Sequence, residues 1–283
     1  MLLLWCLPRV TLADIIVIDD SGNLLQLAIP AKRVISLAPH ITELLFAADA
    51  GNKLVGTVRF SDYPESATSI PLVGDSYNLD FETIIALQPD LIIVWETGTR
   101  RSTVEKLLAL GYTVFISEPD SLEIIATSIE RFGKLTGNAE TALTKSKQFL
   151  QDVAKLKNKY SSLEQVRVFY QFWNQPIFTV NDNHIISTII EMCGGKNVFA
   201  ELSTLTPQLS IESVLKINPD VIIASGEGNL KPEWLEEWRQ WPTLSAVSND
   251  QLYSIPPELI QRHTTRILDG AMMMCEFIDN GRH

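Results

Sequence analysis

The residues able to do chemistry in this chain are few and scattered. Its four histidines, His40, His184, His263 and His283, lie far apart in sequence and none has a helical i, i+4 partner. There is no Walker-type phosphate loop, no GxSxG nucleophile elbow and no HExxH pair. The sequence therefore names no catalytic residue and no metal site, although folding could still gather three histidines around an ion. His40 sits in SLAPHITE, where Pro39 stops a strand and Thr42 with Glu43 suit a helix start, so its ring makes a local hydrogen bond or faces a ligand. Aromatic residues fall where loops follow strands: Phe60 and Tyr63 in RFSDYP, Tyr77 in GDSYNLD, Trp95 at a strand's end, and Tyr170, Phe172 and Trp173 in YQFWNQP. Aromatic walls suit a large, flat, partly apolar ligand, since each ring buries much area without needing a matched charge. Trp234, Trp238 and Trp241 are spaced by four and three, which marks a helix face packing inward. Arg262 and Arg266 follow Pro256 and Pro257 on a polar stretch and could meet a ligand phosphate or amide.

Charge and composition narrow the class. The 283 residues are 46% apolar and 20% charged, which is globular, and 23 Lys and Arg against 34 Asp and Glu give a formal net charge of -11. Nucleic-acid binding rests on neutralising phosphates, so no nucleic-acid partner is expected. MLLLWCLPRVTLA, residues 1–13, reads as a secretory signal cut after Ala13. The run is too short, and too broken by Pro8 and Arg9, to span a bilayer, although it lacks a positive charge ahead of Leu2. Cys6 would leave with it. Cys193 and Cys275 then remain as an even pair in an oxidising compartment, where a disulfide is the natural reading and two buried free thiols the alternative.

The elements that must position these residues alternate between strand and helix. Asp14 to Ile29 predicts a hairpin turning at Asp20, Ser21 and Gly22. Strands are expected at Arg33–Leu37, Val55–Val58, Leu91–Trp95 and Thr113–Ile116, and helices at Ile41–Ala50, Phe81–Leu87, Arg101–Leu110 and Leu122–Thr136. From Asn138 to Leu163 one long amphipathic helix, roughly 35 to 40 Å, reads as a spine between two lobes. Beyond it the pattern returns. Strands are expected at Val166–Phe172, Val221–Ala224 and Leu252–Ile255, and helices at Ile185–Cys193, Ile211–Ile217, Trp234–Trp238 and Thr264–Ile278. DFETIIALQPDLIIVWE from Asp80 is echoed by SIESVLKINPDVIIASG from Ser210. The expected fold is α/β: two similar lobes (14–137 and 164–283), each a parallel sheet with flanking helices, joined by the 138–163 helix, with the cleft between lobes as the ligand site. Glu82 and Glu212 occupy matching places in the echo. Either they offset a helix dipole, or they are paired docking points for arginines of a partner.

RVISLAPHITELLFAA, the FSDYP segment, the LDFETIIALQPDLIIVW block, the IIEMCGG turn and the closing Cys275 helix resemble the cobalamin-binding periplasmic proteins of bacterial ABC importers. These belong to the helix-linked group that also carries siderophores and haem. The resemblance, which spans Asp14 onward, implies a monomeric, non-enzymatic periplasmic carrier with cobalamin as transported ligand, no cofactor, and an ABC permease with its ATPase as partner. It implies docking by Glu82 and Glu212, a Cys193–Cys275 disulfide, and pocket roles for Tyr63, Trp95 and Arg262. Tyr77, Trp173 and Glu258 are expected beside them, and His40 could approach the cobalt face. Relatives carry a tryptophan where this chain has Ser76 and Tyr77, another near Thr206, and an Asp where it has Glu258. The same carrier for haem or a ferric siderophore is the nearer alternative. A two-lobed, nitrogenase-like metal enzyme is the more distant one, and two mature cysteines are too few for a cysteine-ligated cluster.

Overall fold

The computed structural model describes residues 14–75, 78–226 and 232–282. The expected signal segment, Ser76 and Tyr77 lie outside the described residues. Contacts divide the chain into two compact units, Met1–Glu118 with Ser128–Thr144, and Pro119–Thr127 with Lys145–His283.

In the first unit β1 (Ile15–Ile18) and β2 (Leu24–Leu27) form an antiparallel hairpin, its turn closed where Gly22 takes a φ of 81° that costs a glycine nothing. Then come β3 (Val34–Ser36), α1 (Pro39–Ala47), β4 (Leu54–Gly56), α2 (Phe81–Leu87), β5 (Leu91–Trp95), α3 (Arg101–Ala109) and β6 (Val114–Ser117). The sheet order is β4-β3-β5-β6, parallel throughout. Two helices follow, α4 (Leu122–Thr136) and α5 (Ala139–Tyr160), and the division between units falls inside each, after Thr127 and after Thr144. The 22 residues of α5 make it about 33 Å long. Where α4 meets α5, a Cβ on Gly133 would lie 2.1 Å from Ala142 Cβ, so the close approach needs glycine there.

The second unit contains β7 (Val166–Gln171), β8 (Ile177–Phe178), α6 (Ile185–Met192), β9 (Gly195–Asn197), β10 (Gln208–Leu209), α7 (Ile211–Ile217), β11 (Val221–Ala224), α8 (Ser245–Ser248), β12 (Leu252–Ser254), α9 (Pro257–Ile260) and α10 (Ile267–Asn280). Its main sheet runs β12-β11-β7-β9, again parallel. In both units the first strand is flanked by the second on one side and the third on the other. The central strands are buried on both faces, which is why Leu91–Val94 and Val221–Ala224 read as unbroken apolar runs.

The sequence echo is also an echo of bonding. Asp80 caps α2 by accepting from Thr83 N (3.1 Å) and Thr83 Oγ1 (2.6 Å), and Ser210 caps α7 by accepting from Ser213 N (3.3 Å). The helices end at Gln88 and Asn218, both left-handed, with φ of 44° and 49°. Asp90 then accepts from Lys32 N (2.8 Å) and Arg33 N (3.0 Å), while the Arg33 guanidinium donates to Leu87 O (2.6 Å). In the second unit Asp220 accepts from Arg167 N (3.0 Å), and the Arg167 guanidinium donates to Asn218 O (2.8 Å) and to Ile217 O. Each Pro-Asp turn thereby ties the orphan carbonyls of a helix end to the start of the central strand.

Several expectations change, among them the start of the last helix, expected at Thr264 and found at Ile267. The segment around Trp234 and Trp238 is a 3-10 helix, Glu233–Gln240, not an α-helix. Trp238 is buried in it, with Trp234 and Trp241 half-buried against the same core, so these rings do pack inward. Tyr170, grouped with the ligand aromatics, is fully buried in the core of the second unit, because β7 has sheet neighbours on both sides and covered faces. Finally α1 begins at Pro39, two residues early, since proline's fixed φ suits the first helical turn, and this takes His40 out of a loop.

Cys193 at the end of α6 and Cys275 in α10 form a disulfide, with Cα atoms 4.6 Å apart and both residues fully buried. Arg282 reinforces this corner by donating to Cys193 O (2.9 Å) and Glu164 O (2.7 Å). The cross-link spans 82 residues, so the chain-entropy model assigns it about 4.5 kcal/mol. Adding reductant, or replacing both cysteines by serine, is expected to lower the melting temperature by roughly 10 °C in a thermal scan; an unchanged transition contradicts it.

Candidate functional site

In open parallel sheets ligands settle outside the carboxyl ends of the strands, at the point where the chain first moves to one side and then to the other. In the first unit that point lies between β3 and β5. At the end of β3, Ser36 Oγ donates to Ala38 O (2.9 Å) and pairs with Thr42 Oγ1 (2.8 Å), which reaches Ser61 Oγ (3.2 Å). This buried hydroxyl chain binds the strand end, the start of α1 and the FSDYP segment together. His40, in the first turn of α1, is only 8% exposed, whereas Tyr63, two residues beyond Ser61, is 47% exposed. At the end of β5 the half-buried Trp95 meets His40 edge-on, ring centroids 5.2 Å apart and planes at 83°. Trp95 Nε1 donates to Glu118 Oε1 (3.1 Å).

The corresponding point in the second unit lies between β7 and β11. Gln171, fully buried at the end of β7, accepts from Trp238 Nε1 (2.8 Å) and donates to Trp173 O (3.2 Å) and Asn174 Oδ1 (3.3 Å). A core amide thus shapes the loop that leaves Trp173 49% exposed. Past β11, Ser225 Oγ accepts from Gln261 Nε2 (3.0 Å). Burial pushes the neighbouring Tyr170 phenol up to about 12, against the opposing pull of Ser225 and Gln261. Past β12, the half-buried Glu258 lies in α9 and Arg262 just after it. The expected ligand residues thus divide by unit: His40, Tyr63 and Trp95 on one, Trp173, Glu258 and Arg262 on the other. Tyr77 lies outside the described residues.

Glu82 and Glu212 stand in the first turns of α2 and α7, both exposed. Its own backbone N–H, then Ser210, holds the Glu212 carboxyl below its ordinary range. Among the described residues no group of three or more His, Cys, Asp or Glu is arranged to hold a metal ion. Neither Glu118 nor Gln171 stands in a local motif. Parallel pairing of β5 with β6 sets Trp95 opposite Ser117 and so brings Glu118 beside it, and the fold alone brings Trp238 to Gln171.

The sequence model of the periplasmic binding protein family matches residues 34–259. The chain belongs to that family. Known proteins are similar over nearly the whole length. A vitamin B12-binding protein of Vibrio cholerae serotype O1 is 37% identical over 257 residues, covering 90% of this chain and 92% of that one. One from Yersinia pestis is 35% identical over 250 residues, 87% and 86% of the two chains. The crystal structure of the periplasmic vitamin B12 binding protein of Vibrio cholerae matches with a TM-score of 0.80 at 36% identity, covering 89% of this chain and 98% of that one. A periplasmic heme-binding protein from Roseiflexus sp. RS-1 has a TM-score of 0.77 at 20% identity, covering 89% and 99%, a likeness of fold alone. The periplasmic binding protein architecture places both sets of candidate residues at strand ends.

One histidine of this periplasmic binding protein serves structure. His184 caps α6, its Nδ1 accepting from Ile186 N (3.2 Å), and its ring meets His263 edge-on at 6.1 Å. Burial first, and the charge of His263 second, lower its pKa to about 4. An unfolded imidazole takes its proton near 6.5, so between these values the unfolded chain holds more protons and stability falls as pH falls, by up to about 1.4 kcal/mol per pH unit. His184→Asn keeps a capping oxygen without the titration. Chemical denaturation across pH 7 to 4 should show a shallower loss for the variant; parallel curves refute the assignment.

Proposed function

We propose that this chain is a non-enzymatic periplasmic carrier that captures cobalamin at the strand-end surfaces of its lobes and delivers it to an ABC importer permease. The observation that carries this reading is the 37% identity to a vitamin B12-binding protein over 90% of the chain, against 20% to the heme-binding neighbour. The chemistry agrees with it. A corrinoid is a broad macrocycle with neutral amides on its rim, so it is matched by apolar ring area and a few polar anchors better than by a cluster of ions. Tyr63, Trp95 and Trp173 supply exposed or half-buried rings, Tyr77 is read as a fourth, Arg262 as a donor to rim amide oxygens and Glu258 as an acceptor from rim amide nitrogens. The two termini of the duplicated helix, Glu82 and Glu212, are read as the points where permease arginines engage. Exposed carboxylates in a first turn contribute little to folding but form strong charge-assisted pairs with a guanidinium.

Protein loaded with cyanocobalamin should remain red after desalting, and Trp95→Ala should raise Kd by about one to two orders of magnitude in calorimetry, the scale of losing one well-buried aromatic contact. Colour and heat with haem or a ferric siderophore, and neither with cyanocobalamin, overturn the ligand assignment.

The docking assignment has its own test. Reversing Glu82 and Glu212 together to Arg should leave the melting temperature nearly unchanged and cobalamin affinity within about twofold of the parent while abolishing stimulation of the permease ATPase in proteoliposomes. Normal stimulation by the double variant removes these residues from the interface.

A further inference from the structure

The indole of Trp95 is restrained on several sides, and we infer that Glu118 is the positioning residue that orients it for the ligand. Glu118 Oε1 accepts from Trp95 Nε1 (3.1 Å) and from Thr97 Oγ1 (3.2 Å), and Glu118 Oε2 accepts from Thr97 N (2.9 Å). The residue is itself anchored through its backbone, because Glu118 N donates to Asp20 Oδ2 (2.6 Å) and Asp20 pairs with Arg131 (2.7 Å). Around the ring, Gly98 packs so closely that a Cβ there would lie 1.8 Å from Trp95 Cε3, and His40 meets the indole edge-on. The backbone of Trp95 is held too, its N–H donating to Thr99 Oγ1 (3.2 Å).

The choice of a carboxylate follows from the donors. Three groups, an indole N–H, a backbone N–H and a hydroxyl, converge on one side chain, and the two N–H groups go to different oxygens. Only an ionised carboxylate offers acceptors at both positions; a glutamine would turn its NH2 toward one of the two N–H groups whichever way its amide lay. Glu118 therefore selects one orientation of Trp95 before any ligand arrives, and an aromatic contact already in place loses less freedom on binding. Glu118 acts through Trp95 and is not assigned a contact with the ligand. The inference rests on the reading of Trp95 as a cobalamin contact.

The test is a double-mutant cycle of Glu118→Gln and Trp95→Phe, with cyanocobalamin affinity from calorimetry and 15N indole spectra of the ligand-free proteins. Phenylalanine keeps a ring but removes the indole N–H, and its spectrum identifies the Trp95 resonance by its loss. Glu118→Gln should raise Kd about tenfold in the parent, the scale of one charge-assisted hydrogen bond, and less than about twofold in the Trp95→Phe background. It should also move the Trp95 indole resonance while the other indoles stay. An unchanged Kd, an equal loss in both backgrounds, or an unmoved resonance overturns the inference. Should the parent fail to bind cyanocobalamin, the cobalamin reading falls by itself, and the indole resonance still decides whether Glu118 holds Trp95.

Discussion

In both lobes a carboxylate two residues past a helix C-cap grips the backbone where the central strand begins. Asp90 and Asp220 each accept from the backbone there, and Arg33 and Arg167 close the carbonyls that the preceding helix leaves open. The helix, the turn and two neighbouring strands become one unit whose register cannot slip without breaking every bond in the set. Since β3 and β5, or β7 and β11, are the strands so joined, the lock also sets where their carboxyl ends stop. The candidate ligand surfaces are those ends.

What sits there is aromatic and is held by polar groups from below. In the first lobe a hydroxyl chain from Ser36 through Thr42 to Ser61 joins the end of β3, the start of α1 and the FSDYP segment. In the second, the buried amide of Gln171 spans from Trp238 in the core to the backbone of Trp173. Each arrangement satisfies buried donors and acceptors that would otherwise be costly, and each leaves a large ring partly exposed. Exposed rings are an expense for a soluble protein unless something covers them part of the time.

Much of this was legible in the sequence. Phe81–Leu87, Leu91–Trp95, Leu122–Thr136, Ile211–Ile217 and Val221–Ala224 can be read to the residue, because apolar period, capping residue and Pro-Asp turn all mark the same boundaries. The strand β9, Gly195–Asn197, is illegible because its three residues have no apolar pattern and are strand only by pairing with β7. Tyr170 misleads for a similar reason: its neighbours Phe172 and Trp173 leave the sheet, while it does not, and local sequence cannot say where pairing stops. Glu118 and Gln171 are ordinary polar residues until distant strands bring Trp95 and Trp238 to them. Aromatic content near strand ends is a local signal; what holds each ring is a long-range one.

The chain passes from the first unit to the second after Glu118, returns after Thr127 and leaves again after Thr144. Neither unit is therefore a contiguous stretch of polypeptide. When the chain emerges N-terminus first, the first unit can be completed only once Thr144 is out, by which time Pro119–Thr127 of the second is already present without the rest of its unit. The second must wait longer, because Cys193 finds its partner at residue 275 and Arg282 reaches back to Glu164 and Cys193 from the extreme end. A chain that emerges N-terminus first thus leaves the side of α6 that meets α10 uncovered until some eighty further residues have followed Cys193, a period in which a chaperone has a defined surface to shield.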